Sequence, residues 1–116
     1  MALDRTALES AGIDVEDALA RLMGSEALLE RLLSKFLDDA SFAALEAAID
    51  AHDAQAAIDA SHTLKGVAGN LSLTRVYDAS ARMCDLFRAG NWDDACALMP
   101  MLADAYHDVQ GAIRKA

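Results

Sequence analysis

Apolar residues recur at three- and four-residue intervals along most of the chain, and the breaks between the runs are short and polar or glycine-containing. Val15, Ala18, Leu19 and Leu22 share one face of a predicted short helix, Val15 to Met23, preceded by Asp14 and stopped by Gly24. Ser25 and Glu26 open the next, where Leu28, Leu29, Leu32, Leu33, Phe36 and Leu37 form a wide stripe of the kind a bundle core needs. Asp38-Asp39 interrupts that stripe, and Ser41 is the candidate cap for a continuation carrying Phe42, Leu45, Ala48 and Ile49. The pattern leaves open whether these are one bent helix or two. After His52, Asp53 can cap a helix that runs to about Gly69, and Asn70-Leu71-Ser72 is the next break. Leu73, Val76, Ser80, Met83 and Phe87 then repeat up to Ala89, where Gly90-Asn91 ends the run. The last stripe is Trp92, Ala95, Cys96, Met99, Leu102, Tyr106, Val109 and Ile113, with Pro100 inside it. Proline there either kinks the helix or starts its second segment, which predicts a bend near Leu98. Strand-like alternation is absent. The prediction is an all-α, up-and-down bundle in which short turns make successive helices antiparallel neighbours.

Composition narrows this picture. At 116 residues the chain is read as one domain, residues 1–116, large enough to bury a core unaided. Hydrophobic residues make up 54% but aromatic ones only 5%, and a single proline leaves helix as the favoured state. The formal charge of −9 argues against a nucleic-acid partner, and no Lys/Arg cluster offsets it. No apolar run approaches the roughly 18 residues that span a membrane, and residues 1–12 hold no signal-peptide core, so a cytoplasmic location is expected. Cys84 and Cys96 lie in apolar helical contexts without C-x-x-C spacing and read as core thiols.

The candidate chemistry lies in Ala60-Ser61-His62-Thr63-Leu64-Lys65-Gly66-Val67-Ala68-Gly69-Asn70-Leu71. At about 100° per residue, Ala57, Ala60, Ser61, Leu64, Ala68 and Leu71 fall within about 40° of one buried line. His62 lies roughly 140° from that line, with Gly69 near 120°, Gln55 near 160°, Gly66 near 180° and Lys65 near 80°. The imidazole is therefore predicted at the surface, beside positions without side chains. Glycine inside a helix costs about 0.5–1 kcal/mol relative to alanine, so stability does not select two of them here. Access does: with no side chain at Gly66, a second protein can descend over the ring. Lys65 can reach an anion attached to it. Imidazole forms covalent intermediates as a nucleophile, which makes His62 a candidate phosphoacceptor. Asp59, one turn earlier on the same side, either holds the ring or solvates the helix; Gln55 and Ile58 extend the same surface, with Ile58 a candidate docking contact. Ser61 points about 100° away from His62 and is no partner for it. His52, at a helix end, and His107 read as ordinary surface groups, and the three histidines lack metal-ligand spacing. No nucleotide-binding kinase motif is present, so the chain is not expected to be an enzyme that phosphorylates itself from ATP.

His62-Thr63-Leu64-Lys65-Gly66-Val67-Ala68-Gly69-Asn70-Leu71 resembles the signature of histidine-containing phosphotransfer (HPt) domains, roughly H-x-L-K-G followed by small residues and N-L. Gly12-Ile13-Asp14, Ala18-Leu19-x-Arg21-Leu22-x-Gly24 and Leu32-Leu33-x-x-Phe36 are similar to that family as well, so nearly the whole chain is covered. The resemblance implies an antiparallel four-helix bundle with a short N-terminal helical cap. It also implies a phosphorelay carrier whose His62 exchanges phosphoryl groups with receiver-domain aspartates, with receiver domains and a hybrid sensor histidine kinase as its partners; a monomer is expected. Such a carrier has no cofactor of its own; Mg²⁺ is expected on the partner receiver domain. In that mechanism Lys65 balances phosphoryl charge, and Gly66 and Gly69 leave room for the partner. Two positions depart from the family pattern: Ser72 stands where glycine is common, and Cys84 where many members place Gln or Glu near the ring. The natural-looking Met1 start leans toward a free-standing protein rather than part of a hybrid kinase. The competing reading is a helical interaction module that is never phosphorylated, either a degenerate receiver-docking bundle or a repeat-like scaffold. For the latter, the similar turns Ala51-His52-Asp53-Ala54 and Gly90-Asn91-Trp92-Asp93 lie roughly 38 residues apart, against about 34 in tetratricopeptide repeats.

Overall fold

The computed structural model describes residues 3–115, and those residues form helices and turns around one apolar core. The helices are α1 (Arg5–Ser10), α2 (Val15–Arg21), α3 (Glu26–Phe36), α4 (Ser41–Asp50), α5 (Ala54–Asn70), α6 (Thr74–Arg88), α7 (Trp92–Ala97) and α8 (Met99–Lys115). Four of them start as polar caps dictate: the side chains of Asp4, Asp14, Ser25 and Asp53 each accept the backbone N–H three residues on. The sequence pattern did not predict α1, whose six residues bury a single large side chain, Leu8. One apolar position makes no period.

The Asp38-Asp39 interruption separates α3 and α4 into two helices. Ser41 is not the cap expected of it. Its buried hydroxyl donates to Asp39 (2.8 Å), and the Asp39 carboxylate takes the Phe42 N–H (3.3 Å) and the Tyr106 hydroxyl (3.0 Å). Asp39 therefore anchors the start of α4 to α8, where Tyr106 stacks on Phe42 with ring centroids 4.3 Å apart. Burial, and then the negative charge of Asp39, push the Tyr106 hydroxyl well above the usual phenol range. Pro100 begins a segment rather than kinking one: α7 ends at Ala97, Leu98 is its cap, and Pro100 lies in the first turn of α8, where a missing N–H costs nothing.

The helix that carries His62, α5, packs between α4 and α6, and α6 packs in turn on α7 and α8. Residues 12–14 cross the α5–α6 turn. Asp14 N donates to Ser72 O (2.9 Å), the Thr74 N–H and hydroxyl both donate to Gly12 O (2.9 Å each), and Ile13 bridges to Leu73. At that turn Leu73 N bonds Ala68 O (2.9 Å) and Ser72 N bonds Gly69 O (3.3 Å), the paired closure of a helix whose next residue is left-handed. That residue is Ser72, at φ 55°. The backbone here suits glycine, and a side chain costs about 1–2 kcal/mol. Ser72 offsets part of the cost by donating its hydroxyl to Asp17 at 2.6 Å.

Among the described residues no helix is long and apolar enough to cross a membrane.

Candidate functional site

On α5 the predicted stripe of Ala57, Ala60, Ser61, Leu64, Ala68 and Leu71 is buried throughout. Ser61 is wholly enclosed, and its hydroxyl donates back to Ala57 O (2.7 Å) and Ile58 O (3.1 Å), which occupies the group inside the bundle. The residue after it, His62, is exposed. Among the described residues its imidazole has no hydrogen bond and no ion pair, so both ring nitrogens are left to solvent or to a visiting molecule.

The neighbours divide into two groups. Lys65, half-buried on the adjacent strip, forms no ion pair within the described residues, and its ammonium is available to a group on the ring. Gly66 is exposed, and a methyl group built at its Cα meets nothing within 4 Å. These two positions stand as the sequence places them. Asp59 and Gln55 pair with each other instead: Gln55 Nε2 donates to Asp59 Oδ1 at 3.0 Å, and the carboxylate makes no bond to His62. Ile58 is half-buried, its side chain against the core and its carbonyl accepting both Ser61 and the Cys84 thiol (3.8 Å). Cys84 is fully enclosed, so the thiol holds α6 against α5 and leaves the ring untouched.

Gly69 has a different task from the one its wheel position suggests. A Cβ there would lie 3.2 and 3.3 Å from two ring carbons of Tyr77 on α6. Gly69 is half-buried because that ring covers it. The contact comes from another helix, so no local pattern in α5 announces it. Gly69 meeting Tyr77 while Ile58 meets Cys84 also shows that α5 and α6 run in opposite directions.

Near the far end of α5, the Asp17 carboxylate is held below the usual range by the Ser72 hydroxyl and then by Arg21, whose Nε donates to it at 3.1 Å. Elsewhere, His52 at the α4–α5 turn stacks on Trp92 (4.1 Å between centroids), and His107 meets Phe42 edge-on. Neither approaches His62 as a partner. No group of three or more His, Cys, Asp or Glu residues within the described residues is arranged to hold a metal ion.

Chemically, the site is an unpartnered nucleophile with a cation beside it and a bare stretch of helix next to it. It has neither a base to activate a substrate nor a pocket to enclose one, so it suits exchange with an active site brought by another protein. A family model described as Hpt domain matches residues 27–112. No curated protein and no solved structure matches the chain.

Proposed function

The chain belongs to the Hpt domain family, and from that premise we propose that it is a phosphoryl carrier of a two-component phosphorelay with His62 as its phosphoacceptor. The observation that carries the reading is the exposed, unpartnered imidazole of His62 with Lys65 and the open Gly66 on its flanks.

A partner receiver domain presents an aspartyl phosphate over the ring. A nitrogen lone pair of His62 attacks the phosphorus in line, the N–P bond forms as the P–O bond to the aspartate breaks, and the aspartate leaves as a carboxylate. Lys65 offsets charge on the transferring group. Mg²⁺, on this reading, belongs to the partner. Gly66 admits the partner's loops close to the helix backbone. The reverse sequence returns the phosphoryl group to the next receiver. While loaded, the domain carries about −1.5 to −2 additional charge, which marks it for that receiver. As a carrier it needs no nucleotide site.

The test is transfer from a panel of phosphorylated receiver domains with Mg²⁺, followed by intact mass, with His62→Gln as control. Label on the wild type that disappears in the variant is the expected result. Binding to a receiver without label on any member of the panel would replace the carrier with a docking module.

A further inference from the structure

Along the exposed strip of α5, His62 is followed by a gap at Gly66 and then by Tyr77 of α6, lying over Gly69. Gly66 is about 6 Å from His62 along the helix axis and Gly69 about 10.5 Å, at 1.5 Å per residue. The result is a notch floored by bare backbone, with an imidazole at one end and a phenol ring at the other. Tyr77 is 41% exposed, although it is a large aromatic side chain on a helix that otherwise buries Val76, Ala79, Ser80, Met83, Cys84 and Phe87. Its seat is Gly69 in the last turn of α5, where an added methyl group would press on the ring.

We propose that Tyr77 is a docking residue for the receiver domain: the loop beside the partner's phosphoaspartate enters the notch over Gly66 and packs against the Tyr77 ring. This rests on the phosphoacceptor reading of His62. An interface of ordinary size covers about 800 Å² per partner, a patch of roughly 16 Å radius, so a protein centred on His62 also covers Tyr77. Tyrosine is well suited to the task, because it offers a large rigid contact area and is enriched among residues that dominate binding. Tyr77 does not reach the reacting atoms. It therefore acts on capture of the partner and not on the chemical step.

That separation defines the experiment. Transfer is measured from the receiver that labels the wild type fastest, over a range of receiver concentrations, in Tyr77→Ala, Tyr77→Phe and Gly69→Ala. Direct labelling by phosphoramidate, a donor too small to use the notch, is measured in parallel. Tyr77→Ala raises the half-saturating receiver concentration about tenfold and leaves the maximal rate within about twofold. Tyr77→Phe, which keeps the ring, stays within about twofold of wild type, whereas Gly69→Ala, which displaces it, moves in the direction of Tyr77→Ala. Phosphoramidate labelling is equal in all four proteins. An unchanged half-saturating concentration in Tyr77→Ala overturns the proposal, and so does a matching loss of phosphoramidate labelling, which would make Tyr77 a support of the His62 helix. A wild type that takes label from neither donor refutes the phosphoacceptor reading itself.

Discussion

Replacing Gly66 by alanine separates what the fold wants from what the function wants. The position is an exposed helix interior with open space around its Cα, so an added methyl meets no clash and is charged no repacking cost. The gain is the full difference in helix propensity, about 0.5–1 kcal/mol. Unfolding entropy near the midpoint is roughly 2.1 cal/mol/K per residue, so 116 residues give about 0.24 kcal/mol per kelvin and a rise in Tm of about 2–4 °C. The same methyl stands one turn from His62, on the line of approach proposed for the partner. A displacement of about 1 Å between reacting groups costs up to 100-fold, so transfer from a receiver falls about tenfold in Gly66→Ala and about 100-fold in Gly66→Leu. Thermal unfolding followed by circular dichroism and single-turnover transfer on the same samples give both quantities. A variant that gains stability and transfers at the wild-type rate, with Gly66→Leu behaving alike, would show that Gly66 is not on the path of the partner. Loss of stability in Gly66→Ala would refute the open space assigned to it.

Two other perturbations act on separate parts of the molecule. Lys65→Ala removes an ammonium with no ion partner among the described residues, so its unfolding midpoint in urea stays within about 0.5 kcal/mol of wild type while the maximal transfer rate falls about tenfold. Asp17 has a folded-state pKa below its ordinary value, so its contribution to stability is complete above the unfolded pKa, near 4, and is lost as pH falls through the lower, folded value. Ser72→Ala removes the first cause of that shift; urea midpoints between pH 2 and 5 fall less steeply in this variant than in wild type, and identical slopes would disconnect the hydroxyl from the carboxylate.

Much of the site was legible because it depends on one helix. The period of α5 assigned Ala57, Ala60, Leu64 and Ala68 to the core and left His62 and Gly66 outside it, and Asp14, Ser25 and Asp53 marked helix starts through bonds that span only three residues. What the sequence concealed lies in contacts between elements. Gly69 looked like open space near the ring until α6 brought Tyr77 onto it. Asp59 had two plausible uses on the wheel, and its actual partner, Gln55, is one turn away on the same helix. Cys84 aligned with a polar position in the family, but the side of α6 on which it falls is closed by α5. Ser41 has the right residue type for a cap and lost that role to Asp39, whose carboxylate also answers a tyrosine in α8, 67 positions later.

The crossing of residues 12–14 over the α5–α6 turn bears on how the domain can be moved between proteins. The family match begins at residue 27, after both α1 and α2. Yet Ser72 adopts a backbone suited to glycine with the help of Asp17, and the first residues of α6 are tied to Gly12. A graft cut to the family boundaries would carry the strain and leave its compensation behind. For a chimera or fusion, the smallest portable unit of this chain includes the segment from Asp4, because Leu8, Ile13, Val15, Ala18 and Leu19 of that segment also belong to the core.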